Sequence, residues 1–562
     1  MRATVRVEHV VMIGAALALL VLIVLPLAFL FIGSLTADGH VTLANFQEAL
    51  SSRLYVQALR NSLVLGLWTA VLSVAIGLPL AWAVSRTNVP AKRFVHLTAV
   101  VSYLTPPFLT AIAFVNLLSP RAGLVNVFVR DVLGVPALTF NVFSMTGLVL
   151  VTVVHTFPFV YLLAASALES VDASMEESAQ ILGAGRWRTA AVITAPLVAP
   201  AALSGALVAF VNAIALFGSQ AIIGLPGRVF TLPTRIYALF DYPPQYGLAS
   251  AMSLVFVAIT VVALYLQRRF LARRSYVTLG GKGSRPQLID LGVARWCVFA
   301  FCAGVFVVAV AAPYLTLLAV SVSKSWGLQF WQNLTLAHYR FVLFEYDVTR
   351  RAIWNSVLLA SATATLAVLL GSLVGWLDLR TMIRGRKMLD YVSLIPLGLP
   401  GIVVAVALIQ FWLRMPLPIY GTLVIILLAY TGRYVPLGVR SANAAFRQID
   451  ASLEETARVI GAGWFRTFRS VTLPLARPGL FAGWLLVFVP ALQELSASIL
   501  LFSSGSITLA VAVYNLYETG SLEPVAALAI VTMVIITAAI ALATRLGRGA
   551  ARTDAAAPVS GA

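Results

Sequence analysis

The sequence predicts an all-α polytopic membrane protein, with about twelve transmembrane helices in two parallel six-helix repeats. Three observations carry this. Apolar residues make up 60% of the 562 positions and charged residues only 11%. The mean hydropathy is +0.94, so a soluble chain of this size would have too little polar surface to cover its core. Uncharged or nearly uncharged apolar runs long enough to cross a bilayer recur along the chain, and its second half repeats the first.

The first run, 10–33, has no charge and exceeds a signal-peptide core, so it is read as a retained helix. Runs at 60–84, 96–118, 143–167, 197–218 and 246–268 complete the first half. Runs at 293–321, 353–377, 389–413, 420–440, 476–501 and 523–545 make the second. The chain therefore divides into a first half, 1–268 (repeating unit at about 57–268), and a basic linker, 269–292. A second half, 293–546 (repeating unit at about 351–545), and a flexible tail, 547–562, complete it. Lys and Arg number 39 against 21 Asp and Glu, a net charge of +18. Most of these cations fall on the segments that face the cytoplasm if both termini lie inside. That placement accounts for the charge without nucleic acid. Two cysteines, Cys297 and Cys302, are too few for a disulfide framework or a metal cluster, and the five histidines are scattered.

Residues 172–200 align without a gap to 450–478, and fifteen of the 29 positions are identical. Pro158 and Pro436 share this register. Upstream, Asn61-Ser62, Gly77, Trp82 and Arg86-Thr87 match Asn355-Ser356, Gly371, Trp376 and Arg380-Thr381. Six spans per half give both halves one orientation, a parallel repeat about an axis along the membrane normal. The best-matched stretch is a loop, the part of a protein that ordinarily varies most.

Each such loop reads as two short helices around a glycine turn. Ser174 with Glu177, and Ser452 with Glu455, have capping-box spacing. Gly183 with Gly185, and Gly461 with Gly463, suit a left-handed helix end. Pro196 and Pro474 are expected to open the next span, where a missing N–H costs little. Glu177 and Glu455 fit two compatible roles: capping alone, or meeting a basic partner.

The pattern Glu177, Ala179, Gly183, Ile193, Pro196, repeated as Glu455, Ala457, Gly461, Val471, Pro474, resembles the EAA loop of ABC importer permeases. Ser178, Thr456 and Ala195 depart mildly from the family pattern. The resemblance covers nearly the whole chain, as two fused permease domains, and implies an inner-membrane location, while the Lys and Arg bias favours both termini cytoplasmic. It implies that each loop couples to one of two copies of a cytoplasmic ATPase subunit, and that an extracytoplasmic binding protein delivers substrate. It further implies that ATP and Mg are bound by the ATPase, with no cofactor, metal or catalytic residue in this chain. Gly280-Gly281-Lys282-Gly283 fails as a phosphate loop, because Gly283 stands where Ser or Thr is needed. The segments 217–226, 276–283 and 493–501 resemble the ferric-iron branch. Related branches carry aminoethylphosphonate, thiamine and other small solutes.

Ferric iron is a hard cation that favours oxygen ligands. Glu494 is the one carboxylate placed well inside a run, which makes it a translocation-path candidate or a satisfied interhelical partner. Gln220 is a second path candidate, with Tyr161 and Asn212 weaker ones. His155 and Arg433 share a repeat position and suit packing near the prolines of the fourth and tenth spans. No constellation forms a closed iron site. An ion-coupled secondary transporter would need a relay of buried acids or histidines, which one buried carboxylate hardly supplies. A membrane scaffold without transport would leave the two matched loops unexplained.

Overall fold

The computed structural model describes residues 2–37, 39–171, 173–273 and 288–555. The tract 276–283 and most of the basic linker lie outside the described residues. Among the described residues, ten helices are long and apolar enough to cross a membrane, or up to 12 if each of two bent helix pairs is one span. Among the described residues the fold is all-α apart from a hairpin of two-residue strands, Thr36–Ala37 against His40–Val41, and isolated bridges.

The bent pairs do cross. The second span, Arg53–Arg86, and the fourth, Met145–Ser170, lie side by side and parallel. Ser73 bonds Thr156, Gly77 packs on the backbone of Phe157 and Tyr161, and Arg86 donates to the carbonyl of Leu168. Two parallel helices must be joined by a segment that crosses back, and that segment is the pair Lys92–Leu104 and Pro107–Leu118. In the second half, Asp347–Arg380 and Leu423–Arg447 are parallel in the same way, joined through Arg386–Gly398 and Gly401–Trp412.

These third and ninth spans are not the straight helices expected from 96–118 and 389–413. They bend by 100° and 114°. Thr105 precedes Pro106 and Leu399 precedes Pro400, and both residues leave the helical region, with ψ of 125° and 119°. The proline ring disfavours the α conformation in the residue before it.

The two halves of the sequence are interlaced in space. The first span, Glu8–Ser34, packs on the second half: Phe29 lies 5.2 Å from Phe411, and Gly432 abuts the Leu22 carbonyl. The seventh span, Gly292–Val322, packs on the first half. Phe306 lies 4.6 Å from Phe94, and Tyr314 shares a 2.8 Å hydrogen bond with Thr105. The far end of the linker is pinned as well: Ile289 forms a parallel bridge with Thr87, and Asn88 bonds Asp290. The segment expected to be a tail from 547 continues the last helix to Ala555.

Close parallel packing rests on glycines, of which Gly77 and Gly371 are repeat-matched and Gly438 belongs to the second half alone. A Cβ on Gly438 would collide with the Ala367 carbonyl, and one on Gly371 with the backbone of Gly438. We expect Gly438→Val to cost about 1–3 kcal/mol of overpacking, read as a lowered thermal midpoint of the purified chain. Gly304→Val, with nothing within 4 Å of its Cβ position, should leave the midpoint unchanged.

Candidate functional site

The two matched loops fold alike. Their first helices run Ala173–Ile181 and Ala451–Val459. Ser174 and Ser452 are therefore the second helical residues, not the caps of a capping box. Ser452 instead donates its N–H to Asp450 Oδ1 at 3.0 Å. That bond holds the exposed Asp450 carboxyl below the ordinary carboxylate range, so the cap persists above that range and is lost as pH falls through the depressed value. Asp172 and the side chains of Ser174 and Glu177 lie outside the described residues.

Gly183 and Gly461 take φ of 85° and 86°. The N–H groups of Ala184 and Ala462 reach back to the carbonyls of Ala179 and Ala457, each at 2.9 Å, the signature of a Schellman end. Gly185 and Gly463 are not left-handed. The next helices start at Arg186 and Trp464, well before the prolines, so Pro196 and Pro474 do not open a span. Each follows a five-residue π-helical turn, Ala190–Thr194 or Phe468–Thr472. The wider turn relieves the clash between a proline ring and the carbonyl four residues earlier.

The acid that each loop buries is the first of its Glu-Glu pair. Glu454 is 4% exposed, whereas Glu455 is exposed. Arg380 Nε lies 3.3 Å from Glu454 Oε1, and Thr472 donates to the same oxygen at 2.9 Å. The Arg380 Nη2 also donates to the carbonyls of Phe446 and Ile449. The first half repeats the clamp with the same residue types, though through a different guanidinium nitrogen and with the two carboxylate oxygens shared out. Arg86 Nη1 lies 3.3 Å from Glu176 Oε2, Thr194 donates to Glu176 at 2.5 Å, and Arg86 Nη2 donates to Leu168 and Val171. One guanidinium thus ties the end of the second or eighth span, the end of the fourth or tenth, and the loop helix. Ala457, one turn from Glu454, is buried on the same face. The C-terminal end of each loop helix and the turn after it are apolar and bare: Ile181, Leu182, Val459 and Ile460 are 85%, 87%, 86% and 80% exposed.

The sequence reading singled out Glu177 and Glu455 and passed over Glu176, Glu454, Arg86, Arg380, Thr194 and Thr472. The signal was present. Every one of these residues has an identical partner in the other half.

Away from the loops, a cavity of about 210 Å³ lies where the two halves meet. Its wall includes Tyr103, His155, Asn212, Arg433, Gln493 and Glu494. Glu494 does not sit inside a continuous helix. The eleventh span ends at Leu492, and Glu494 occupies the turn before Ser498–Leu501. Its carboxylate faces Arg433 Nε at 3.5 Å and accepts from Tyr434 at 2.6 Å and from the Ala497 N–H at 3.0 Å. Gln220 is not brought to this wall. It is fully buried, donates to the Ala213 carbonyl at 2.8 Å and accepts from Thr231. Tyr161 is likewise absent from the wall and pairs with His96 at 3.2 Å. Among the described residues, no group of three or more His, Cys, Asp and Glu could hold a metal ion.

The chain belongs to the family of binding-protein-dependent transport system inner membrane components, whose profile matches residues 73–276 and 367–552. It is similar to a ferric transport system permease protein of Actinobacillus pleuropneumoniae, 27% identical over 90% of this chain and 74% of the relative. An Fe(3+)-transport system permease protein of Haemophilus influenzae is 24% identical over 88% of this chain and 91% of its own length. A molybdenum transport system permease protein of Escherichia coli is 30% identical over 39% of this chain and 94% of its own length, so one part of this chain corresponds to nearly a whole relative. The protein is a multi-pass inner-membrane permease built from two copies of one unit.

Removing one partner of the clamp leaves a buried charge alone. Arg380→Ala should cost about 3–5 kcal/mol, visible as a lowered thermal midpoint. The paired change Arg380→Gln with Glu454→Gln, which leaves no lone charge, should lose clearly less.

Proposed function

We propose that this permease carries ferric iron into the cytoplasm, driven by ATP hydrolysis on a separate subunit that docks on its two loops. The observation that carries the coupling half of this reading is the pair of clamped platforms. Each presents bare apolar residues, Ile181-Leu182 or Val459-Ile460, at the end of a helix that one arginine ties to two spans. A surface of that kind suits a complementary cleft, since exposed apolar residues gathered on one face mark a contact site. Glu177 and Glu455, with Ala179, Gly183, Pro196, Ala457, Gly461 and Pro474 shaping the loops, would meet basic groups at the rim of that cleft.

The mechanism follows from stiffness. Closure of the ATPase pair moves both platforms, and the clamps pass that motion to the second and fourth spans of one half and the eighth and tenth of the other. The halves then rock about the pseudo-two-fold, so that the central cavity opens alternately to each side. The loop end is cytoplasmic by its Lys and Arg, which also places both termini inside, and a binding protein delivers substrate at the opposite end. The chain itself makes and breaks no covalent bond. ATP and its Mg belong to the partner.

Support for iron as cargo is the named activity of the relatives that align with both halves, over 90% and 88% of this chain. The test is uptake of labelled ferric iron by iron-limited cells with and without the gene, beside an aminoethylphosphonate and thiamine. Loss of iron uptake alone is expected. Loss of another substrate with iron unchanged would overturn the cargo and leave the importer. Glu177→Lys with Glu455→Lys should reduce uptake to the level of the deletion while membrane content stays normal. Normal transport by that double variant would overturn the docking role of the two carboxylates.

A further inference from the structure

The repeat-matched pairs Asn61-Ser62 and Asn355-Ser356 sit on the second and eighth spans, on the same helices as the clamp residues Arg86 and Arg380. Ser62 to Arg86 and Ser356 to Arg380 are equal stretches, about 36 Å of helix each, so both pairs lie at the end away from the loops. There they make the same bonds. Asn61 donates to the Phe230 carbonyl at 2.8 Å, and Ser62 accepts from the Leu232 N–H at 2.8 Å. Asn355 donates to the Ile507 carbonyl at 2.9 Å, and Ser356 accepts from the Leu509 N–H at 2.7 Å. Leu232 and Leu509 open two short helices, Leu232–Ala238 and Leu509–Glu518, and the first N–H of a helix has no partner within it. Ser62 and Ser356, both buried, supply that partner, so each short helix is fixed by its start to a long span.

The two short helices meet across one ring. Phe217 lies 5.1 Å from Tyr237 on the first and 6.0 Å from Tyr514 on the second. Phe217 is fully buried, and its neighbours Leu216 and Gly218 line the central cavity. Tyr514 lines a second cavity, of about 560 Å³, together with Val115, Tyr517 and Leu522. That cavity lies where the third span ends and the last helix begins, away from the loops. The three rings therefore stand between the two cavities. Further bonds join them to the short helices. Gln220, just after Phe217, accepts from Thr231, the cap of the first short helix. Tyr517 on the second donates to the Ile222 carbonyl at 3.1 Å.

Each long span is thus gripped at both ends by repeat-matched polar side chains, at the loop by its arginine and at the far end by its Asn-Ser pair. A packed helix moves as a unit, so a shift at the loop end reaches the start of the short helix unless the far bonds give way.

We propose that Asn61-Ser62 and Asn355-Ser356 are positioning residues that pass the movement of the second and eighth spans to the layer of Tyr237, Phe217 and Tyr514, which shuts the central cavity off from the outer one. What drives the spans rests on the ATP-coupled reading above; the tethers hold for any cargo.

The reporter is Val489→Cys, on the wall of the central cavity, in a chain that also carries Cys297→Ser and Cys302→Ala. Intact cells are treated from outside with a charged thiol reagent that does not cross the inner membrane, before and after arsenate depletes their ATP. Labelling of this reporter chain should differ between the two states. Ser62→Ala with Ser356→Ala removes both acceptors and frees the short helices. Labelling should then be the same with and without ATP, and uptake of labelled ferric iron should be lost. Ser62→Thr with Ser356→Thr keeps both acceptor oxygens and should restore the difference. A merely structural role would lower membrane content and leave the ATP dependence of the remaining protein intact. If the double alanine variant does not reach the membrane, Ser356→Ala alone is read in the same way. ATP dependence that survives the alanine changes overturns the tethers and leaves the ATP-coupled reading standing. No ATP dependence in the reporter chain itself overturns that reading, and the tethers with it.

Discussion

A bilayer offers no water to a broken helix, so every interruption of a span must find its hydrogen bonds inside the protein. Among the described residues, two spans break in their middle, at Thr105-Pro106 and at Leu399-Pro400, and two others end, after Ala215 and after Leu492, in turns that stay inside the protein. They are gathered at the meeting of the halves and satisfy one another. Gln493 donates to the Leu104 carbonyl, and the Phe217 N–H to Ser496. Thr260 donates to the Gly398 carbonyl, and Tyr430 to that of Glu494. The cavity exists because of this convergence. Four chain turns pack less densely than continuous helices, and two of the side chains that close their backbone bonds, Gln493 and Ser496, also form the wall.

What the sequence disclosed follows from the same physics. Apolar runs report how much of a segment is in lipid or core, so all twelve crossings were legible. They say nothing about direction, so the two bends were hidden, although Pro106-Pro107 and Pro400-Gly401 were the sites where a bend was cheap. The repeat disclosed the loops and their glycine turns. It did not say which acid of each Glu-Glu pair faces inward, because the capping-box reading set the helix start two residues late. With the start at Ala451, Glu454 and Ala457 share the inner face, and Glu455 is left outside. The interlacing of the first and seventh spans had no sequence signal: a lipid-facing helix packs equally well on either half.

The clamps explain how a nine-residue helix on the surface can be rigid. An isolated helix of that length is marginal in water. Here its inner carboxylate joins a guanidinium that also closes carbonyls at the end of a neighbouring span, where helix ends otherwise leave acceptors open. The ion pairs are largely buried, with side-chain exposures of 2% and 17% in the first half and 12% and 5% in the second. Burial makes such a pair costly to break and thus a stiff link, whatever its net contribution to stability.

Comparing the halves within one chain separates two demands. Where force would enter, they are alike: Arg86 with Arg380, Glu176 with Glu454, Thr194 with Thr472, Gly183 with Gly461. Where the cavity lies, they differ: His155 stands against Arg433, and Leu216 against Glu494. Under the proposed coupling, two identical ATPase subunits acting about one axis would require matched levers, and unequal clamps would tilt the halves rather than rock them. A small ligand on that axis is under no such requirement, since it need not share the two-fold. Fusing both copies in one chain lets the wall become unequal while the levers stay equal, and a lone arginine balanced by one carboxylate is a feature that two separate identical subunits could not build.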